Sequence, residues 1–170
     1  AYSRHYPAID WNISYSEYID NLSDWYDDNV DSEFLEYRTK IVKILEKENE
    51  LLEIARVVGQ DVLSDDKKLL LEVASSIRIG LQQNSFNDID TSVTIEKQFK
   101  MMETIILIYD RALKLINKGI PISEIKKTGL LEEYNELKYN VKNDEIEKID
   151  EFDVRIKNRM KKLEDEYREH

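Results

Sequence analysis

The chain has no cysteine, two histidines, two prolines and four glycines among its 170 residues. Without cysteine there are no disulfide staples and no thiolate metal sites, and thiols do not constrain the redox compartment. So few glycines and prolines argue against an all-β fold, because strands need turns and turns lean on those residues. A GxxxxGK[ST] phosphate loop and a dinucleotide-binding glycine fingerprint are both missing, so the chain cannot hold a triphosphate in the usual way by itself. No apolar run approaches the ~20 residues of a membrane helix. The first residues, AYSRHYPAIDW, contain no signal-peptide core. These features suggest an intracellular soluble chain, or a piece of one.

Acids and strong apolar periodicity are abundant. The net charge is −11, with 36% charged and 41% apolar residues, a balance suited to one soluble domain with a real core. Such charge disfavours nucleic acid, whose phosphates call for Lys and Arg, and disfavours an anionic lipid surface. A basic partner suits it better.

Residues 1 to 13 differ from the rest. Arg4 to Trp11 is aromatic-rich and carries Pro7, which reads as an extended connector. From Ser14 the pattern is helical, with Tyr15, Tyr18 and Leu22 at three- and four-residue steps. A long helix opens at Ser32 and ends at Gly59. Its stripe is Phe34, Arg38, Ile41, Leu45, Glu48, Leu52 and Ala55. Gly59 stops it as a left-handed cap residue would. The next helix runs from Ser64 to about Asn84 on Leu70, Val73, Ile77 and Leu81. Residues 84 to 94 are a loop of turn formers. A helix from Ile95 to Lys118 follows, with the stripe Phe99, Met102, Ile106, Tyr109, Leu113 and Ile116, stopped by Gly119 and Pro121. A short helix over Ser123–Lys127, a break at Gly129, and helix over 130–140 come next. The last helix begins near Asn143 and carries Ile149, Phe152, Ile156, Met160, Leu163 and Tyr167. That stripe fits a coiled-coil seam or a helix on a core; with so few heptads the core reading is preferred. The expected fold is all-α: an irregular bundle of about six helices over residues 14–170, behind a connector over 1–13.

Chemistry is hard to find. His5 lies in the connector and His170 at the last position, with no HExxH or ExxH pairing. Asp27, Asn29, Asp31 and Glu33 alternate like the start of a calcium loop. The sixth position would then be Ser32 instead of glycine, and the twelfth Arg38 instead of a bidentate Glu, so calcium is rejected. Acids such as Glu46, Glu48 and Glu50 read as a solvated helix face, not acid–base pairs. No metal site and no catalytic residue are expected.

Three stretches carry a resemblance. Arg4-His5-Tyr6-Pro7-Ala8-Ile9-Asp10-Trp11 with Ser14-Tyr15-Ser16 resembles the segment after the nucleotide-binding domain in the catalytic A subunit of archaeal-type and vacuolar-type rotary ATPases. Leu81-Gln82-Gln83-Asn84-Ser85-Phe86, with Asp90-Thr91 and Glu96-Lys97-Gln98, looks like a second signature of the same protein family. Ile116-Asn117-Lys118-Gly119-Ile120-Pro121, with Glu124-Ile125, is similar to a third, and order and spacing match.

The resemblance implies the C-terminal helical domain of a longer catalytic polypeptide. Its phosphate loop, ATP or ADP, and Mg²⁺ would belong to an absent upstream domain, so that this fragment alone binds no cofactor and is inactive. It further implies B subunits and central-stalk rotor subunits as partners, no membrane insertion, and a cytoplasmic place peripheral to the membrane. Gly59 to Lys67 resembles the acidic DELSEED loop of the related F-type catalytic chain. Asp61, Val62, Leu63, Ser64, Asp65 and Asp66 would then face the rotor, with Leu63 as an apolar contact. Phe86 would lie against the adenine ring, where a flat aromatic face suits a purine. The sequence departs from the family nearby: Ser92, Val93, Thr94 and Ile95 stand where family members carry an aromatic, a cysteine and prolines, which puts any second aromatic wall in doubt. The competing class is a free-standing helical interaction module whose last helix is a coiled-coil partner. A metal-dependent enzyme is disfavoured by the poverty of His and Cys.

Overall fold

The first described helix owes its length to an unbroken apolar stripe and ends where that stripe meets glycine. The structure is a computed structural model, and it describes residues 31–82, 95–142 and 144–168. The expected connector, the helix expected from Ser14, both histidines and Phe86 lie outside the described residues.

Helix α1 is Asp31–Val58. Phe34, Ile41, Leu45, Glu48 and Ala55 of the expected stripe are buried, joined by Ile44 and Leu51, while Arg38 and Leu52 are only half-buried. Gly59 ends the helix at φ 89 and ψ 148. That is beyond the left-handed helical region expected for it, in backbone territory that glycine alone occupies at little cost. A tight turn, Gln60–Val62, leads into α2, Asp65–Ile77.

The second helix was expected to run on to about Asn84. Instead the chain widens after Ile77 into a π-helical turn, Arg78–Gln82. A neighbour packs against this turn. Gly80 lies against the ring of Tyr134, so closely that a Cβ there would meet the Tyr134 Cε2 at 2.8 Å. The Tyr134 hydroxyl donates to the Met101 carbonyl at 2.9 Å, and burial pushes its ionisation far up. Leu70, Val73, Ile77 and Leu81 are all buried as expected.

Helix α3, Ile95–Asn117, runs through the middle of the bundle. Its sequence pattern suggested one stripe. In the structure Met101, Met102, Ile105, Ile106, Ile108, Ala112 and Leu115 are buried, while Phe99, Tyr109, Leu113 and Ile116 are half-buried. A single stripe suits a helix with one neighbour; α3 packs on α1, α2 and the last helix at once. Its end is a Schellman cap: Gly119 N–H donates to the Ile116 carbonyl at 2.9 Å and Ile120 N–H to Leu115 at 3.0 Å.

Short helices follow, α4 over Ile122–Lys127, α5 over Leu130–Asn135 and α6 over Leu137–Asn140. The helix expected over 130–140 is therefore split at Glu136. The last helix, α7, is Glu147–Arg168. Ile149, Phe152, Ile156, Met160 and Leu163 are buried in the common core, and Tyr167 is exposed, so the core reading holds through Leu163. One buried cation ties the start of α3 to the short helices: Lys97 Nζ donates to the carbonyls of Lys138, at 3.0 Å, and Val141. Helix C-terminal carbonyls are the favourable place for such a charge. The described fold is all-α, and none of its helices is long and apolar enough to cross a membrane.

Gly80→Ala should destabilise the chain by about 1–3 kcal/mol, since neither the ring nor the backbone can yield freely in a packed interior. Chemical denaturation of both forms would measure it, and equal midpoints would contradict the account of the widened turn.

Candidate functional site

Two places in the fold gather polar groups. The first is the tip where α1 turns into α2. Leu63 was expected to offer an apolar contact there, but it is 7% exposed and turned inward, as the apolar residue nearest the buried face of α2. Val62 takes the outer position at 70% exposure.

The acids of the tip divide in the same way. Asp65 Oδ2 accepts the Ile122 backbone N–H at 3.0 Å. The N-cap residue of α4 is Pro121, which has no side-chain acceptor, so Asp65 supplies that acceptor from another helix. Ser64 occupies the N-cap position of α2 without capping it by its side chain; its hydroxyl donates to Asp66 instead. That hydrogen bond, joined by backbone donors, lowers the Asp66 ionisation. Asp61 is exposed on the turn. Of the six expected rotor-facing residues, Asp61, Val62, Ser64 and Asp66 lie at the surface, Leu63 is inside, and Asp65 is committed to α4.

The second place is a cleft of about 420 Å³ between α1, α3 and α7, lined by Tyr37, Glu103, Asp110, Asp153 and Lys157 among others. Thr104 Oγ1 donates to Asp153 Oδ1 at 2.6 Å. Burial raises the Asp153 carboxyl from its ordinary value of 3.8 to about 6; the Thr104 hydrogen bond opposes this and the charges of Glu103 and Asp150 add to it. Burial, then Glu103, also raises Tyr37. Asp153 was invisible in the sequence, because it is one acid among many beside the Phe152 stripe. Among the described residues no three His, Asp or Glu side chains converge to hold a metal ion. Asp153 is a half-buried acid held by a threonine, and its raised carboxyl couples folding stability to pH.

The described residues form an all-α bundle with a helix–turn–helix tip. The comparisons give that class its family. Residues 23–126 match the family model for the C-terminal domain of V and A type ATP synthase, and the chain belongs to that family. It is 46% identical over 169 residues to the V-type ATP synthase alpha chain 2 of Clostridium tetani, covering 99% of this chain and 28% of that protein. The V-type ATP synthase alpha chain of Halothermothrix orenii is 39% identical over 170 residues, with 99% and 29% covered. That of Thermoanaerobacter sp. is 43% identical over 164 residues, with 96% and 28% covered. The chain thus spans under a third of the length of the curated relatives it matches.

Asp153 supplies a pH test. The folded chain holds its proton more tightly than the unfolded chain does. The stability this group contributes is present below about pH 4 and is lost as pH rises through 6. Asp153→Asn keeps an acceptor for Thr104 and removes the charge. It should stabilise the chain by about 1–2 kcal/mol at pH 7.5, after allowance for solvent screening, and by nothing near pH 4. Denaturation at the two pH values would show it; a variant no more stable than the parent at pH 7.5 would contradict it.

Proposed function

We propose that this chain is the C-terminal helical domain of the catalytic A subunit of an archaeal- or vacuolar-type rotary ATP synthase, with residues 1–13 as the connector and 14–170 as the bundle. The parent enzyme interconverts ATP hydrolysis or synthesis and ion transport through rotation. Its phosphate loop and Mg²⁺ ligands belong to the upstream domain, which carries the chemistry of phosphoryl transfer; this part alone is inactive. The tip over Gly59–Lys67 meets the central-stalk rotor, and Phe86 lies against the adenine of nucleotide held upstream. B subunits and stalk subunits are the partners, and the assembly is peripheral to the membrane on the cytoplasmic side. The observation that carries this reading is the family match over residues 23–126, together with a bundle whose longest described helix ends in an exposed turn.

Two experiments on the assembled complex test it. Because the chain has no cysteine, Val62→Cys places a single thiol in this domain for a photo-activated cross-linker. The expected product joins this domain to a central-stalk protein; products with outer proteins only would refute the placement. Phe86→Ala should raise the KM for ATP about tenfold with kcat little changed, from the loss of one stacking face. An unchanged KM would remove the adenine role.

A further inference from the structure

Between Asp153 and Glu164 the chain carries five cations and no acid, and between Asp110 and Glu124 three cations and no acid. Both runs stand out in a chain of net charge −11, in which Lys40, Lys47, Arg56, Lys127 and Lys148 each pair with an acid three or four positions away. The fold brings the two runs together. Lys100 pairs with Asp150 at 3.0 Å, Thr104 with Asp153, and Lys118 with Glu164, so α3 and α7 run parallel along one seam. Arg111 stands seven residues from both Thr104 and Lys118, on the same edge of α3. Lys157 and Lys161 follow Asp153 at four-residue steps on the facing edge of α7. Arg111, Lys114, Lys157 and Lys161 therefore form one strip, and all four are exposed. None of the four makes a hydrogen bond or an ion pair among the described residues. Lys114 sits in the last turn of α3, where the helix dipole favours a cation. That effect does not reach Lys157 and Lys161, which lie eleven and seven residues before the end of α7 at Arg168. Like charges side by side repel one another, and anions laid over the strip relieve the repulsion.

We infer that the α3–α7 seam docks an acidic helix of another protein, whose carboxylates lie along Arg111, Lys114, Lys157 and Lys161; this rests on the proposed place of the chain in a multi-protein complex, but not on what meets the tip. The length and borders of the strip select this occupant. It spans ~10 Å from Arg111 to Lys118 at 1.5 Å per residue, which about two turns of an acidic helix cover. Asp110 and Asp153, which share a cleft with Lys157, bound it at one end. Glu164 and Asp165 bound it at the other. An anionic membrane surface or a run of nucleic acid would extend over these bordering acids and be repelled. A second copy docked by the same face would set cations against cations. The strip is open, so a small anion would lack the enclosing walls of a ligand pocket. A short acidic helix meets the cations and clears the acids at both ends.

The test uses the assembled complex carrying the full-length polypeptide. A water-soluble carbodiimide joins a carboxyl to an amine only where the two already meet, so its products identify the partner of each lysine. The expected product links Lys114, Lys157 or Lys161 to an Asp or Glu of another protein. Acetylation of Lys114 should also be at least about fivefold slower in the complex than in the dissociated subunit, because the docked helix excludes solvent. Lys157→Glu combined with Lys161→Glu should bring the two rates within about twofold, because the reversed charges repel the acidic helix. Both sites are exposed, and Glu and Lys have similar helix propensity, so the melting temperature of the subunit should be unchanged. Equal acetylation rates in the parent's two states, or carbodiimide products confined to this chain or to a second copy of it, would overturn the inference. The Val62→Cys cross-link separates this failure from that of the proposed function. A stalk cross-link beside an unprotected seam sinks only the seam. Absence of any co-purifying protein sinks the proposed complex and the inference together.

Discussion

The burial of α3 is the constraint on which the other elements depend. Met101, Met102, Ile105, Ile108 and Ala112 are without solvent exposure, and α1, α2, α5 and α7 each pack on this helix. Removing any one large side chain there would leave a cavity facing several helices, at a cost of several kcal/mol. Several polar groups inside the fold find partners there. Tyr134 reaches the Met101 carbonyl, Lys97 reaches the carbonyls at the end of α6, and Glu48 pairs with Arg78. The first two tie α3 to the short helices, because each joins a particular atom to a particular turn.

A core organised in this way makes α1 a stiff element with one packed face. Its last turn is held by Gly59 N–H on the Ala55 carbonyl at 2.7 Å, and the turn beyond is held to α4 through Asp65. The tip is therefore tied to the body at both its ends, with Asp61, Val62 and Asp66 on its outer surface. The raised Asp153 fits the same picture from another side. A carboxylate that weakens the α3–α7 contact at neutral pH is a departure from maximal stability, of a kind natural proteins tolerate.

Much of this was legible in the residues. Stripes at three- and four-residue steps located α1, α2, α3 and α7, Gly59 and Gly119 marked the ends of α1 and α3, and Gly129 marked the break between α4 and α5. What failed, failed for tertiary reasons. The stripe of α3 is wider than its pattern suggests because several helices share it. The π-helical turn at Arg78–Gln82 packs against Tyr134, more than fifty positions away. At the tip, Leu63 and Val62 are adjacent aliphatic residues, and nothing local decides that one points in and the other out. Asp65 and Asp66 look alike in sequence, yet one caps a distant helix.

The claim at the centre is that this bundle is the far end of a longer, ATP-driven polypeptide. The most direct measurement is the size of the native protein, by blotting an extract of the source cells with an antibody against this chain. The account predicts a band far above 20.2 kDa that sediments with membranes and is released with the rotary complex. A soluble band at 20.2 kDa would contradict it, leaving a helical module with no nucleotide domain to drive it.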